Sequence, residues 1–409
     1  MKRKTKKILK KISNRAKETP FSPIRKFVPL LEKVKKKGIK VYEIHIGQPD
    51  LATPPQILKE VRKFQGKRLT YTPSTGISEV KLAWQRYYKD VGINFDVSEI
   101  IATIGGSEAI FFAFTAVCDP GEELLVFEPF YTTYNSYASM AAIKLVPLRT
   151  FAKKGFHLPK KKDIERKITK KTRAILICNP NNPTGTVYSR EELKNIVDIA
   201  EKYNLFIISD ETYREFVYDN QKHYSIMDFK VARPRAILLD SVSKRFSACG
   251  VRIGCLCSKN KDIIKAVTKF TQARLSLPLI EQRAVVPILE NGKKYTKKII
   301  HEYKKRRDTV FEELKKISKV QCQKPRGAFY LIVKLPIKDS EDFTKWLLTK
   351  FSFRGETVMV SPASGFYATK GLGKDEIRIA FVLSSPKLKR AINILGKGLW
   401  QYKKTVSRE

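Results

Sequence analysis

Short apolar, β-branched runs recur along the chain with longer amphipathic stretches between them, and this alternation restricts the fold more than any other feature. "ELLVF" at 123, "AIKLVPL" at 142, "RAILICN" at 173, "LFIISD" at 205, "AILLD" at 236 and "VRIGCLC" at 251 are runs of this kind. They lack polar alternation, the pattern of strands buried on both faces in a mostly parallel sheet covered by helices. Between them, "SREELKNIVDIAEKYN" carries the capping box Ser189/Glu192 and puts Leu193, Ile196, Val197 and Ala200 on one helical face. The rhythm predicts an α/β chain with a three-layer αβα large domain. Beyond about residue 281 long helical patterns precede "RGAFYLIVKL", "VMVSPA" and "EIRIAFVL", which predicts a second, smaller α+β domain.

With 409 residues and 42% hydrophobic content, the chain can bury a core large enough for two domains. No apolar run reaches the length of a membrane span, and "MKRKTKKILKKISNRAKE" lacks the apolar stretch of a secretory signal, so the expected location is cytoplasmic. Six cysteines show no paired framework; Cys255 and Cys257 flank Leu256 as in an alternating strand, and no metal site is expected. The net charge of +41 raises the question of polyanions. The first forty residues hold sixteen Lys/Arg and two acids, a net of +14, so +27 is spread over the remainder. No zinc finger, basic zipper or aromatic-interleaved RNA-binding pattern accompanies this charge, and a solvated lysine-rich surface explains it better than nucleic-acid binding. Residues 1–20 are expected to be a loose basic tail, too rich in lysine for a good transit peptide.

In an open parallel sheet the chemistry sits beyond the strand C-termini. "RAILICNPNNPTG" ends a strand in an Asn-Pro turn; "LFIISDETYREF" places Asp210 after four apolar residues and Ser209; "LLDSVSKRF" places Ser241, Ser243 and Lys244 after another apolar strand. A buried carboxylate or ammonium is costly without a partner. Each alone could belong to a buried salt bridge, but together, with Tyr213 three residues after the aspartate, they suggest a shared small-molecule ligand. "SEIIATIGGSEAIFFAFTAV" reads as a strand, a Gly105-Gly106-Ser107 turn and an apolar helix, whose free N–H groups can hold a phosphate. No Walker motif and no G-x-G-x-x-G dinucleotide spacing occurs. A monophosphate whose ring needs an acid partner and whose carbonyl needs a lysine is pyridoxal 5′-phosphate.

With "SVSKRFSACGVRIG", "NNPTG", "SDETY" and "EIRIAF" in this order, the chain from about Pro20 to its C-terminal helix resembles the fold-type I, class I/II aminotransferases, and among them the aspartate aminotransferase group. The resemblance implies a pyridoxal-phosphate-binding large domain over 56–295 and a small domain from both chain ends, 21–55 and 296–409. It implies that Lys244 holds the coenzyme and then acts as general base and acid, a role requiring a neutral amine during catalysis. Asp210 would pair with the pyridinium nitrogen, and Asn182 and Tyr213 with the phenolic oxygen. Tyr131 would stack on the ring. Gly105, Gly106, Ser107, Ser241 and Arg252 would form the phosphate site. Tyr71 would reach the phosphate of a neighbouring subunit, which implies a homodimer. Arg378 would clamp the substrate α-carboxylate, assisted by the Gly47 backbone and Asn182.

Aspartate with 2-oxoglutarate is the first expectation for substrates, with Arg274 near the position of a second cation in some relatives. Ser107 stands where another aspartate-specific branch carries lysine. Aromatic, prephenate, alanine or kynurenine transamination, and a C–S or β-lyase on the same fold, are the alternatives. A non-catalytic nucleic-acid-binding regulator is remote, because about twenty residues before Pro20 cannot form a winged-helix module.

Overall fold

The computed structural model describes residues 11–406. Half of the expected basic tail, residues 1–10, lies outside the described residues; within the other half, Asn14–Glu18 forms a short helix capped by the Ser13 hydroxyl.

The strands are β1 (Lys40–Glu43), β2 (Ile100–Ile104), β3 (Glu123–Glu128), β4 (Lys144–Arg149), β5 (Thr172–Cys178), β6 (Phe206–Asp210), β7 (Ala236–Ser241), β8 (Ile253–Cys257), β9 (Gln321–Cys322), β10 (Tyr330–Lys334), β11 (Glu356–Met359), β12 (Ser361–Pro362) and β13 (Glu376–Ala380). Seven of them form one sheet in the order β2-β8-β7-β6-β5-β3-β4. From β7 to β4 every pairing is parallel; β8 alone runs against its neighbours β7 and β2. The runs forming β3, β5, β6, β7 and β8 are buried on both faces, as their composition requires, whereas β4, at the edge of the sheet, is largely half-buried or exposed, against the expectation for "AIKLVPL". Leu125, Ile175, Ile177, Ile207 and Leu238 face one layer of helices, and Leu124, Val126, Leu176, Ile208 and Leu239 face the other. Burying each such side chain stabilises the fold by roughly 1.5–3 kcal/mol, and a one-residue register slip would exchange the two sets.

The first layer contains the helices Ser78–Asp90, Arg190–Lys202 and Leu279–Asn291; the second contains Gly105–Val117, Thr133–Met140 and Lys261–Arg274. Three αβα layers result. The Arg190–Lys202 helix begins at the expected capping box: Glu192 N–H donates to Ser189 Oγ at 3.1 Å, and Ser189 N–H to Glu192 Oε2 at 2.7 Å. One local expectation changes. Gly105, Gly106 and Ser107 are the first turn of the helix Gly105–Val117, not a separate turn, because Gly105 at φ +68° bends the chain directly from β2 into the helix.

A smaller α+β part is built from both ends of the chain. The antiparallel sheet β12-β13-β10-β9 and the parallel pair β1-β11 share a core with the helices Lys293–Lys315, Ser340–Thr349 and Ser385–Val406. Residue 296, the expected start of its C-terminal portion, lies inside the helix Lys293–Lys315, whose Ile299, Tyr303, Val310 and Leu314 enter this core.

Candidate active site

The direction of the strands decides which side chains meet. Because β2 and β7 both oppose β8, the C-terminal ends of β2, β3, β5, β6 and β7 share one edge of the sheet, and β8 starts there. That edge carries Gly106 and Ser107 after β2, Tyr131 after β3, Asn182 after β5, Asp210 at the end of β6, Ser241 and Lys244 after β7, and Arg252 just before β8. All of them line one cavity of about 750 Å³, together with Gly47, Tyr213, Tyr330 and Arg378.

Lys244 lies in the short helix Val242–Arg245, whose N-cap Ser241 accepts from Ser243 N–H at 3.2 Å. Its Nζ donates to the Gly47 carbonyl at 2.9 Å and is 3.7 Å from Cys249 Sγ. Burial disfavours the ammonium, but the Tyr330 phenol, the Cys249 thiol and the Tyr131 phenol favour it, and the net direction is upward. The phenols and the thiol around it therefore favour the charged amine over the neutral one that the expected role requires.

Asp210 is buried and accepts from the Tyr134 hydroxyl at 2.8 Å and from Thr212 N–H at 3.2 Å. Burial pushes its carboxyl up, against the opposing pull of those bonds and of Lys244. Tyr213 and Tyr330 join hydroxyls at 2.9 Å. Arg252 holds φ +58°, a region that costs a non-glycine residue roughly 1–2 kcal/mol. Its Nη1 donates to the Cys249 carbonyl at 3.0 Å, and Nη2 lies so near Gly105 that a Cβ there would be 2.6 Å away. Gly105 supports the cavity from behind this guanidinium.

Arg378, on β13, is 1% exposed. It donates to Asn182 Oδ1 at 3.1 Å and to the His45 carbonyl at 2.7 Å, and lies 4.4 Å from the Tyr330 ring and 4.8 Å from the Phe366 ring. No carboxylate pairs with it among the described residues, and its Nε has no partner. Burial lowers its pKa. A buried guanidinium without an anion is a costly arrangement that an anionic ligand relieves.

Three expected residues do not line the cavity: Gly105, behind the Arg252 guanidinium, Tyr71 and Arg274. Tyr71 is 80% exposed. Arg274 donates to the Ser74 carbonyl at 2.8 Å and lies 3.7 Å from Glu108, so within one chain it does not meet Arg378 across the site. Conversely, Tyr330, Tyr134, Thr212 and Cys249 escaped the sequence reading. Tyr134 was visible in "EPFYTTY", one helical turn after Tyr131; Tyr330 was hidden inside an apolar strand.

The chain is similar to known proteins over most of its length. A sequence model of the family described as aminotransferase class I and II matches residues 39–395. The aspartate aminotransferase of Pyrococcus horikoshii is 34% identical over 366 residues, 88% of this chain and 90% of that protein. The structure of Thermus thermophilus aspartate aminotransferase with maleate has a TM-score of 0.86 at 27% identity, covering 95% of this chain and 100% of that one. Alanine aminotransferase from Pyrococcus furiosus has a TM-score of 0.87 at 29% identity, covering 96% of this chain and 100% of that one. The chain belongs to the class I and II aminotransferases.

Proposed function

We propose that this transaminase uses pyridoxal 5′-phosphate to move the amino group of aspartate to 2-oxoglutarate. The observation that carries the reading is the buried Arg378, without a carboxylate of its own, in the same cavity as Lys244 and Asp210. It calls for a ligand with a carboxylate next to an amine. Two of the similar proteins are named aspartate aminotransferases, and the maleate in one of those structures is a dicarboxylate.

The residues fit the coenzyme. Arg252, which pairs with no carboxylate among the described residues, Ser241, Ser107 and the helix N-terminus at Gly105-Gly106 suit a phosphate, with glycine required where the guanidinium passes. Asp210 suits a protonated ring nitrogen, Tyr131 a ring face, and Asn182 and Tyr213 the phenolic oxygen. When bound, pyridoxal phosphate supplies an electron sink for the bond broken at the substrate Cα. Arg378 binds the α-carboxylate, with Asn182 and the Gly47 backbone beside it. Lys244 holds the coenzyme and, once released, takes the Cα proton and returns it on the other side of the amino transfer. Asp210 must be ionised to hold the ring proton, and a cationic ring supplies the partner that its burial demands. The Tyr134 bond fixes the carboxylate's orientation.

The chain works as a homodimer in this reading, with Tyr71 reaching the neighbouring phosphate; its exposure suits a partner outside its own cavity. Mixing Lys244→Ala subunits with Tyr71→Phe subunits should then restore part of the activity, because one site of each hybrid has neither defect. The reading as a whole is tested by a panel of amino donors with 2-oxoglutarate. Glutamate and oxaloacetate from aspartate are expected. Release of pyruvate and ammonia instead would make the protein a lyase.

A further inference from the structure

We propose that Arg25, in the loop before the helix Val28–Lys36, recognises a second carboxylate on the substrate, so that the preferred donors are dicarboxylic amino acids of four or five carbons. This rests on the aminotransferase reading above.

The cavity is lined by four cations, Arg25, Lys244, Arg252 and Arg378, and by one carboxylate, Asp210. Covalent attachment of the coenzyme, its phosphate and a substrate α-carboxylate account for three of the cations. Arg25 is left over. Among the described residues its guanidinium has no ion pair and no hydrogen bond, whereas the adjacent Lys26 is tied to Glu341 at 2.5 Å. Only its backbone is engaged: Arg25 N–H donates to the Ser22 carbonyl at 3.1 Å, and the Arg25 carbonyl accepts from Val28 N–H at 3.0 Å.

The loop is nonetheless well placed. Ile24 is buried in a small cluster with Ile332, Ala363 and Phe366, and Pro23 lies where a Cβ on Gly365 would come within 2.5 Å of it. Phe366 is also the ring 4.8 Å from Arg378. One apolar cluster thus anchors both arginines at the same cavity, Arg378 in the interior and Arg25 at the exposed mouth. A substrate whose α-carboxylate meets Arg378 can present its second carboxylate to Arg25, with the Ser22 hydroxyl also lining this side. Arg274 is engaged by Ser74 and Glu108 instead.

The test compares the holoenzyme with its Arg25→Gln, Arg25→Lys and Arg274→Gln variants. It reads kcat/KM for aspartate, glutamate, alanine and phenylalanine, and maleate affinity from the coenzyme's absorbance. Loss of one charge-assisted pair at a solvated mouth should lower aspartate, glutamate and maleate about 10- to 100-fold in Arg25→Gln, and alanine and phenylalanine by less than about threefold. Arg25→Lys should recover part of the loss. Equal losses on all four donors, or a selective loss in Arg274→Gln with none in Arg25→Gln, would overturn the proposal. So would a parent enzyme that accepts alanine and phenylalanine but neither dicarboxylate, which would leave the aminotransferase reading standing. A parent that transfers no amino group yet binds maleate through Arg25 would overturn that reading and keep the subsite.

Discussion

Lys244 Nζ donates to the carbonyl of Gly47 at 2.9 Å, tying the turn after β7 to the segment after β1, 197 residues away in the chain. The contact exists only because position 47 has no side chain: a Cβ there would sit 1.7 Å from the Tyr330 hydroxyl. Gly47→Ala must therefore push Tyr330 aside, and with it the bond to Tyr213 and the ring against Arg378. A displacement of about 1 Å at a reacting group costs on the order of 10²-fold. We expect kcat to fall by that order while the circular dichroism of the variant matches the parent.

Asp210→Asn keeps the shape of the side chain and its bond to Tyr134 but removes the charge. The proton-transfer step should slow by about 10²–10³-fold, with substrate affinity changed far less. Single-turnover absorbance changes after mixing with aspartate separate the two. A collapse of affinity with normal proton transfer would make Asp210 a structural residue.

Beneath the site, the fully buried Arg245 pairs with the equally buried Asp240, and the Tyr87 ring lies 4.6 Å from the guanidinium. Asp240→Asn would break this buried pair and leave the guanidinium only the more distant Glu215, 3.8 Å away, so the cost should approach that of a broken buried ion pair, about 3–5 kcal/mol. The urea midpoint should shift downward accordingly. Asp240 is outside the cavity lining, so loss of stability should exceed loss of activity in the protein that remains folded.

Glu211, next to Asp210, is wholly buried, and burial raises its pKa to about 7 against the opposing pull of Arg214, Ser225 and the Ile226 N–H. Its unfolded value is about 4.3. Between the two the folded state binds more protons, so this group makes stability fall as pH rises through about 4.3 to 7. His223, also buried, is shifted downward and works in the opposite sense near the acid end. The difference between parent and Glu211→Gln largely removes that contribution. Melting temperature measured from pH 5 to 8 should favour the Gln variant increasingly with pH; a constant gap would contradict the assignment.

The central strands of the large sheet were legible because each is an apolar run bounded by polar turn residues, and burial on both faces permits little else; edge strand β4 carries a similar run without that burial. Lys244 and Asp210 were legible because charge at the end of an apolar run demands a partner, whereas Arg252, which precedes its strand, was expected only from the family resemblance of "SVSKRFSACGVRIG". The reversed direction of β8 was not, since "VRIGCLC" has the same composition whichever way it is inserted. Tyr330 was hidden for a related reason: a tyrosine in an apolar strand looks like core, and its hydroxyl finds Tyr213 only through a contact 117 residues distant in sequence. Arg25 sits in a stretch dense with lysines, where nothing in the local pattern separates a cavity cation from a solvated one.

The most direct test of Lys244 as the coenzyme's attachment point is borohydride reduction of the holoenzyme, followed by proteolysis and mass measurement of the peptides. The account predicts one peptide carrying the reduced coenzyme, with the modification on Lys244, and no such peptide from Lys244→Ala, whose turnover should be lower by about 10⁴-fold or more. Modification of a different lysine, or turnover of Lys244→Ala within about tenfold of the parent, would contradict it.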